Sequence, residues 1–342
     1  MKILGIETSC DETAASVVED GKILHSTVVN SQIDIHAQYG GVVPEVAARS
    51  HIEVMMPVVN KALADASTSW NEIDAIAVTY APGLVGSLLV GTLTARTLSL
   101  IHKKPLYPIH HIKAHIYANF LLDNQPEFPI LALIVSGGHT QIVFFESHEN
   151  YVILGRTQDD AVGEAFDKVA KILGLPYPGG PSISKAALNG DPNKYTLPKS
   201  KLQNPYDFSF SGLKTAVLRS CQREIGKDFT FPSSQIAAQL NEIQRDNFAA
   251  SFQHTAVETL VEKTIKAYDQ YSPTSVVIAG GVAANQELRK QLTEKLPIKI
   301  DYPPMELCTD NAAMIAALAF YQSQYSPAID PRKLEVFPSL SI

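Results

Sequence analysis

Two histidines, His111 and His115, stand four residues apart in the run His110-His111-Ile112-Lys113-Ala114-His115. On a helix that spacing puts both imidazoles on one face. Two ring nitrogens could there meet one metal ion. Two imidazoles leave an ion short of ligands, so a third donor must come from elsewhere, and a carboxylate suits it. Asp310, in Cys308-Thr309-Asp310-Asn311-Ala312-Ala313, is the candidate. The same residue also reads as an ordinary N-cap before an alanine-rich helix. Both roles can coexist if Thr309 or Asn311 makes the cap. Ile112 stands where a zincin protease needs Glu to activate water, which argues against peptidase chemistry.

A second kind of chemistry is anion binding. Ser136-Gly137-Gly138-His139 separates two apolar runs. A turn of such small residues exposes backbone N–H groups that can hold phosphate oxygens, and glycine tolerates the φ values required. A plain β-turn has the same signature. Gly280-Gly281 opens toward a helix, whose free N–H groups and dipole also favour an anion. Between Lys194 and Lys227 lie seven Lys and Arg residues, opposed in that stretch only by Asp207 and Glu224. This is either a phosphate-backbone contact or a solvated helix face.

The elements that position these groups follow from hydrophobic patterning. Lys2–Ile6 is an apolar strand, followed by the polar turn Glu7–Thr13 and a second apolar run, Ala14–Val18. Glu19-Asp20-Gly21-Lys22 is a hairpin turn leading to a strand over 23–29. Helical spacing of Ile52, Met55, Met56, Val59 and Leu63 predicts a helix over 46–64. A strand at 75–79, helices at 86–102 and 111–122, and strands at 129–135 and 140–145 come next. Helices are expected over 161–173, 211–226, 234–269, 285–296 and 311–322, and a strand over 275–279. The segment 176–210, rich in Pro, Gly, Ser and Asn, reads as one long functional loop.

The hairpin at 129–145 repeats the opening hairpin, and strand, glycines and helix at 275–296 echo 75–102. An internal duplication follows, with lobes expected at 1–125 and 126–342 and the last helix packing back on the first. The chain has 342 residues, 45% hydrophobic, and a net charge of -7. That is enough apolar material for two domains, and the wrong sign for holding nucleic acid by charge alone. Cys10, Cys221 and Cys308 have no zinc-ribbon or redox spacing. The uncharged run 75–95 contains Pro82, Gly83, Gly86 and Gly91, so it reads as strand, turn and helix rather than a membrane span. With no secretory signal read at the N-terminus, a soluble cytoplasmic protein is expected.

Gly5-Ile6-Glu7-Thr8-Ser9-Cys10-Asp11-Glu12-Thr13 closely resembles the N-terminal signature of the TsaD family, formerly described as O-sialoglycoprotein endopeptidases. Further segments resemble it too: Tyr39–Glu45, the His111/His115 helix, Val135–Thr140, Tyr177–Pro181, Gly280–Asn285 and Cys308–Asn311. They span nearly the whole chain. The resemblance implies a duplicated α/β fold of the actin-like ATPase, sugar kinase and Hsp70 type, with substrate in a cleft between two lobes. It implies metal ligation by His111, His115 and Asp310, with iron(II) taken ahead of zinc, since imidazole and carboxylate ligands suit both. It implies that Ile134, Val135, Ser136, Gly137, Gly138, Asp167, Gly180 and Asn285 bind threonylcarbamoyl-AMP. Ser184 stands where many members carry Asp, so a ribose contact there would come from a neutral hydroxyl; Ser9, Asp11 and Glu12 of the N-terminal signature are further candidate site residues. The implied reaction moves the threonylcarbamoyl group to the N6 amine of the adenosine 3′ of the anticodon in tRNAs reading codons that begin with A. Implied partners are tRNA, a TsaB-like paralogue meeting the helix around Val43–Ala64, and a TsaE-like ATPase. An ATPase or kinase of the same fold is the alternative, with a metalloprotease a distant third.

Overall fold

The computed structural model describes residues 1–342. The first apolar run forms β1 (Lys2–Glu7), which pairs antiparallel with β2 (Glu12–Glu19), in register Lys2↔Glu19 to Glu7↔Ala14. Both strands are buried on both faces, which explains their continuous rather than alternating hydrophobicity. After β3 (Ile23–Ser31) come a short α1 (Ile33–Ala37) and the long α2 (Pro44–Asp65). β4 (Ala75–Ala81) pairs parallel with β1, then α3 (Val85–His102) and β5 (Leu106–His110) follow, giving the sheet order β3-β2-β1-β4-β5. The expected helix at 111–122 is shorter: α4 is His111–Tyr117, continued by a 3-10 turn over Ala118–Leu121.

The second sheet repeats the first four strands of this order. β6 (Ile130–Val135) and β7 (Thr140–Phe145) form an antiparallel hairpin, with β8 (Tyr151–Arg156) beyond it. Next come α5 (Val162–Leu173), α6 (Gly179–Ala187), α7 (Ser211–Glu224) and α8 (Glu242–Tyr271). β9 (Ser275–Ala279) then pairs parallel with β6, and α9 (Gln286–Lys295) follows. The order β8-β7-β6-β9 matches β3-β2-β1-β4 strand for strand. The duplication read from the hairpins is thus a duplication of sheet topology. Gly280, after β9, has φ +90°, and a Cβ there would meet the Val135 carbonyl oxygen at 2.5 Å, so only glycine fits.

The chain ends with α10 (Met305–Cys308) and α11 (Ala312–Ser323). The chain divides into two compact units, Met1–Pro126 with Asp301–Ile342, and Glu127–Ile300. Residues 301–342 therefore belong to the first unit: the expected boundary counted them with the second lobe, but with the last helix packing back on the first. The reason is α11, whose residues Ala312–Ala319 are all buried and which packs on β1 and β2. That approach is close: a Cβ on Gly5 of β1 would lie 2.3 Å from the Ala312 carbonyl oxygen.

Three expectations are corrected. The loop expected over 176–210 contains α6, opened by the Gly179-Gly180 pair that reads as a breaker in sequence. The helix expected from 234 starts at Glu242, where Asn241 and Gln244 form a reciprocal capping box. On α2, Met55, Val59 and Leu63 are buried, but Ile52 and Met56 are 66% and 41% exposed. The core stripe instead runs through Ala47, His51, Met55, Val58, Val59 and Ala62. No helix is long and apolar enough to cross a membrane.

Candidate metal centre and substrate-binding residues

β5 runs directly into α4, so His111 is the first helical residue and His115 lies one turn later. Both rings are buried, and their Nε2 atoms are 3.1 Å apart. Asp310 comes to them from the loop before α11. Its Oδ1 lies 3.2 Å from His115 Nε2 and 3.6 Å from His111 Nε2. The capping ambiguity is resolved locally. Asn311 is the N-cap of α11, its Oδ1 accepting the Met314 N–H at 3.1 Å, so Asp310 is not used as the cap. The two sequence-distant motifs are thereby brought together within one unit.

The arrangement fits a cation. Ligand atoms of His111, His115 and Asp310 all lie within 4.8 Å of one another. Two imidazole nitrogens 3.1 Å apart cannot both present lone pairs without repulsion; a proton or a cation must intervene. Two imidazoles and a carboxylate are a donor set common to first-row divalent metals.

The surrounding charges polarise the centre. Burial pushes His111 down, but the Asp310 and Glu7 carboxylates outweigh it and raise its pKa to about 9. Burial would likewise push Glu7 up, yet the neighbouring His111 holds it below the usual carboxylate range. Glu7 is fully buried, with Oε2 3.1 Å from His111 Nδ1. Sequence reading passed over this residue, because Glu at a strand end before a polar turn looks like ordinary turn chemistry. Its signal was present, since a charged side chain in a strand buried on both faces must have a partner.

Of the candidates in the N-terminal signature, Ser9 reaches the centre: its Oγ is 3.2 Å from His111 Nδ1. Glu12 is driven up to about 10 by burial first, then by Asp310 and Asp11. Asp11 is 9% exposed, and its carbonyl accepts the Gln32 N–H.

The residues expected to bind the adenylate all lie in the second unit. Ile134 and Val135 are fully buried within β6, so they offer no side chain. Ser136 closes the turn, its N–H donating to the His139 carbonyl at 2.8 Å and its Oγ accepting the His139 N–H. Gly137 and Gly138 have open space where a Cβ would stand, as does Gly180. Asp167 accepts the Gly179 N–H at 2.7 Å, holding the first residue of α6. Asn285 caps α9 through Oδ1, and its amide donates to Ser184 Oγ at 3.1 Å and to Gln253 Oε1 at 2.9 Å. Ser184 also donates to Gln253, at 2.8 Å. Gln253, from α8, thus joins these two and was not singled out from sequence.

The basic stretch is partly neutralised by residues outside it. Lys199 pairs with Glu258 at 2.7 Å and Glu262 at 2.6 Å, and Lys214 lies 3.4 Å from Asp160.

Comparison with known proteins matches the chain's sequence to relatives. The profile of the family "TsaD: tRNA N6-adenosine threonylcarbamoyltransferase" matches residues 23–317. A protein of that description from Thermomicrobium roseum is 51% identical over 337 residues, covering 95% of this chain and 92% of its own length. One from Dehalococcoides mccartyi is 49% identical over 342 residues, covering 100% of this chain and 99% of its own. Among solved structures, the (R)-2-hydroxyglutaryl-CoA dehydratase component A of Acidaminococcus fermentans aligns at TM-score 0.51 and 16% identity, covering 95% of this chain and 99% of that one. That likeness concerns the fold alone, the duplicated actin-like architecture. A profile match over most of the chain, together with near-full-length relatives at about half identity, shows that the chain belongs to the TsaD family of tRNA N6-adenosine threonylcarbamoyltransferases.

Proposed function

We propose that this chain transfers the threonylcarbamoyl group of threonylcarbamoyl-AMP directly to the N6 amine of the adenosine 3′ of the anticodon, in tRNAs reading codons that begin with A. The observation that carries this reading is the convergence of His111, His115 and Asp310, in a chain of this family, on one ion-sized position. In the reaction the amine nitrogen bonds to the carbamoyl carbon and gives up one proton to solvent, the bond from that carbon to the phosphate oxygen breaks, and AMP departs with that electron pair on its phosphate oxygen. An adenine amine is a weak nucleophile because its lone pair is delocalised, so the help must go to the electrophile and leaving group.

The three side chains would hold one divalent cation, iron(II) or zinc, which supplies Lewis acidity for polarising a carbonyl and stabilising phosphate charge. The chain's own residues do the rest. Backbone N–H groups at Gly137 and Gly138, with open space beside them, are suited to phosphate oxygens. Asp167 and Asn285 would orient the nucleoside. The Ser184–Gln253–Asn285 cluster supplies hydroxyl and amide groups where many family members carry Asp, so any ribose contact there is neutral.

Exposed Ile52 and Met56 on α2, with Val85, Leu89 and Leu93 on α3, support an apolar contact with a TsaB-like paralogue. A TsaE-like ATPase completes the proposed set, acting with tRNA in the cytoplasm. The test mixes protein, tRNA and threonylcarbamoyl-AMP, with the paralogue, and measures modified nucleoside by mass. Wild type should form threonylcarbamoyladenosine and His111→Ala should lose both bound metal and transfer. A kinase of the same fold would instead turn ATP over to ADP without tRNA.

A further inference from the structure

We infer that Glu7 is a positioning residue: its buried carboxylate fixes the His111 ring so that Nε2, and not Nδ1, faces the ion. The inference rests on the metal reading above and extends it to a residue outside the ligand set. Glu7 is fully buried at the end of β1, and both of its oxygens are engaged. Oε1 accepts the Ser9 N–H at 2.5 Å. Oε2 accepts the Thr79 hydroxyl and lies 3.1 Å from His111 Nδ1. An ionised carboxylate has no proton to give, so the hydrogen bond to His111 requires the proton on Nδ1. That leaves the Nε2 lone pair toward His115 Nε2 and Asp310 Oδ1, 3.1 and 3.6 Å away. Ser9 Oγ, 3.2 Å from the same Nδ1, can share that proton.

The contrast with the second ring sharpens the point. His115 Nδ1 is buried and has no hydrogen-bond partner. Of the two imidazoles, His111 is braced from behind and His115 is not. A carboxylate behind a ligating histidine sets ring orientation and tautomer, and its loss typically weakens metal binding about 10–100-fold.

Glu7→Gln separates positioning from packing. The amide keeps the shape, but one oxygen becomes NH2. Facing Ser9, that group would meet an N–H with no acceptor. Turned toward Oε2's position, it is tolerated by Thr79, whose hydroxyl can accept, but it forces His111 Nδ1 to accept and moves the ring proton to Nε2.

The experiment uses the full chain and cobalt(II) alone as the probe, following affinity by chelator competition and geometry by the visible ligand-field spectrum. Glu7→Gln should bind cobalt about 10–100-fold more weakly with an altered spectrum, and Glu7→Asp should recover part of the loss. Should the glutamine variant not fold, 15N-histidine NMR of the zinc-loaded wild type gives the same answer. It should show His111 protonated at Nδ1 and ligated through Nε2. Ligation through Nδ1, or Glu7→Gln binding cobalt like wild type with an unchanged spectrum, overturns the inference. If those results come while His115→Ala abolishes cobalt binding, the metal reading survives without it. Wild type that holds no cobalt, or His115→Ala that holds it undiminished, overturns the metal reading and this inference together.

Discussion

His111 sits between two carboxylates, Glu7 at Nδ1 and Asp310 near Nε2, 3.1 and 3.6 Å away. Without a metal that environment favours the imidazolium, with a pKa of about 9 against an ordinary 6.5. A group whose folded-state pKa is raised contributes stability that is fully present below 6.5 and is lost as pH rises through 9. Metal binding must displace the same proton, so it strengthens over the same interval. Chelator-treated protein should therefore lose thermal stability between pH 6.5 and 9, and added zinc should offset that loss. Thermal melts across this range check it. A flat profile in chelator, or an identical decline in His111→Ala, would contradict the assignment. At this scale the sequence was informative where chemistry forces residue type. The histidine pair was readable from its spacing. Asp310 was ambiguous until Asn311 was seen to make the cap. Glu7 and Gln253 were hidden because their roles depend on partners 104 and 32 residues away.

At the scale of elements, the centre is held by two junctions, the β5–α4 turn and the start of α11. Asn311 secures the second. It is fully buried, caps α11, and donates to the Leu307 and Thr309 carbonyls. Asn311→Ala should cost about 0.5–2 kcal/mol for the cap, with an added penalty for the carbonyls left unpaired. Because Asp310 is its neighbour, metal affinity should fall in the same variant. Denaturant melts and metal titration together check this, and lost stability with unchanged metal affinity would detach the cap from the site. Gly5→Ala tests the packing of α11 on β1. The new methyl would meet helix backbone at 2.3 Å, so a destabilisation of about 1–3 kcal/mol or more is expected. Thermal melts within experimental error of wild type would contradict that close approach. Strands buried on both faces were legible as apolar runs. The start of α6 was not, because paired glycines and prolines carry the same letters in a loop and in a helix's first turn. The true start of α8 lay in the Asn241/Gln244 capping box rather than in hydrophobic periodicity.

For the whole molecule, the hairpin-and-strand repeat was legible because both sheets use the same order. The return of the last helix to the first lobe was expected too, but the boundary drawn at 126 left residues 301–342 as a whole in the second lobe, where their packing puts them in the first unit. The Lys194–Lys227 stretch looks basic in sequence, yet folding brings Glu258 and Glu262 to Lys199 and Asp160 to Lys214. In a chain of net charge -7, these two lysines are poor candidates for tRNA phosphates. Lys199→Ala should leave the salt dependence of tRNA binding unchanged, where removing a phosphate contact would lower the slope by about 1. Affinity measured across a salt series decides between them.

The most direct test measures metal content and threonylcarbamoyl transfer on the same preparations of wild type and Asp310→Ala. One ion per chain should be found in wild type, and the variant should lose the ion and the product together. Undiminished transfer from protein stripped of metal, or from the variant, would contradict the account.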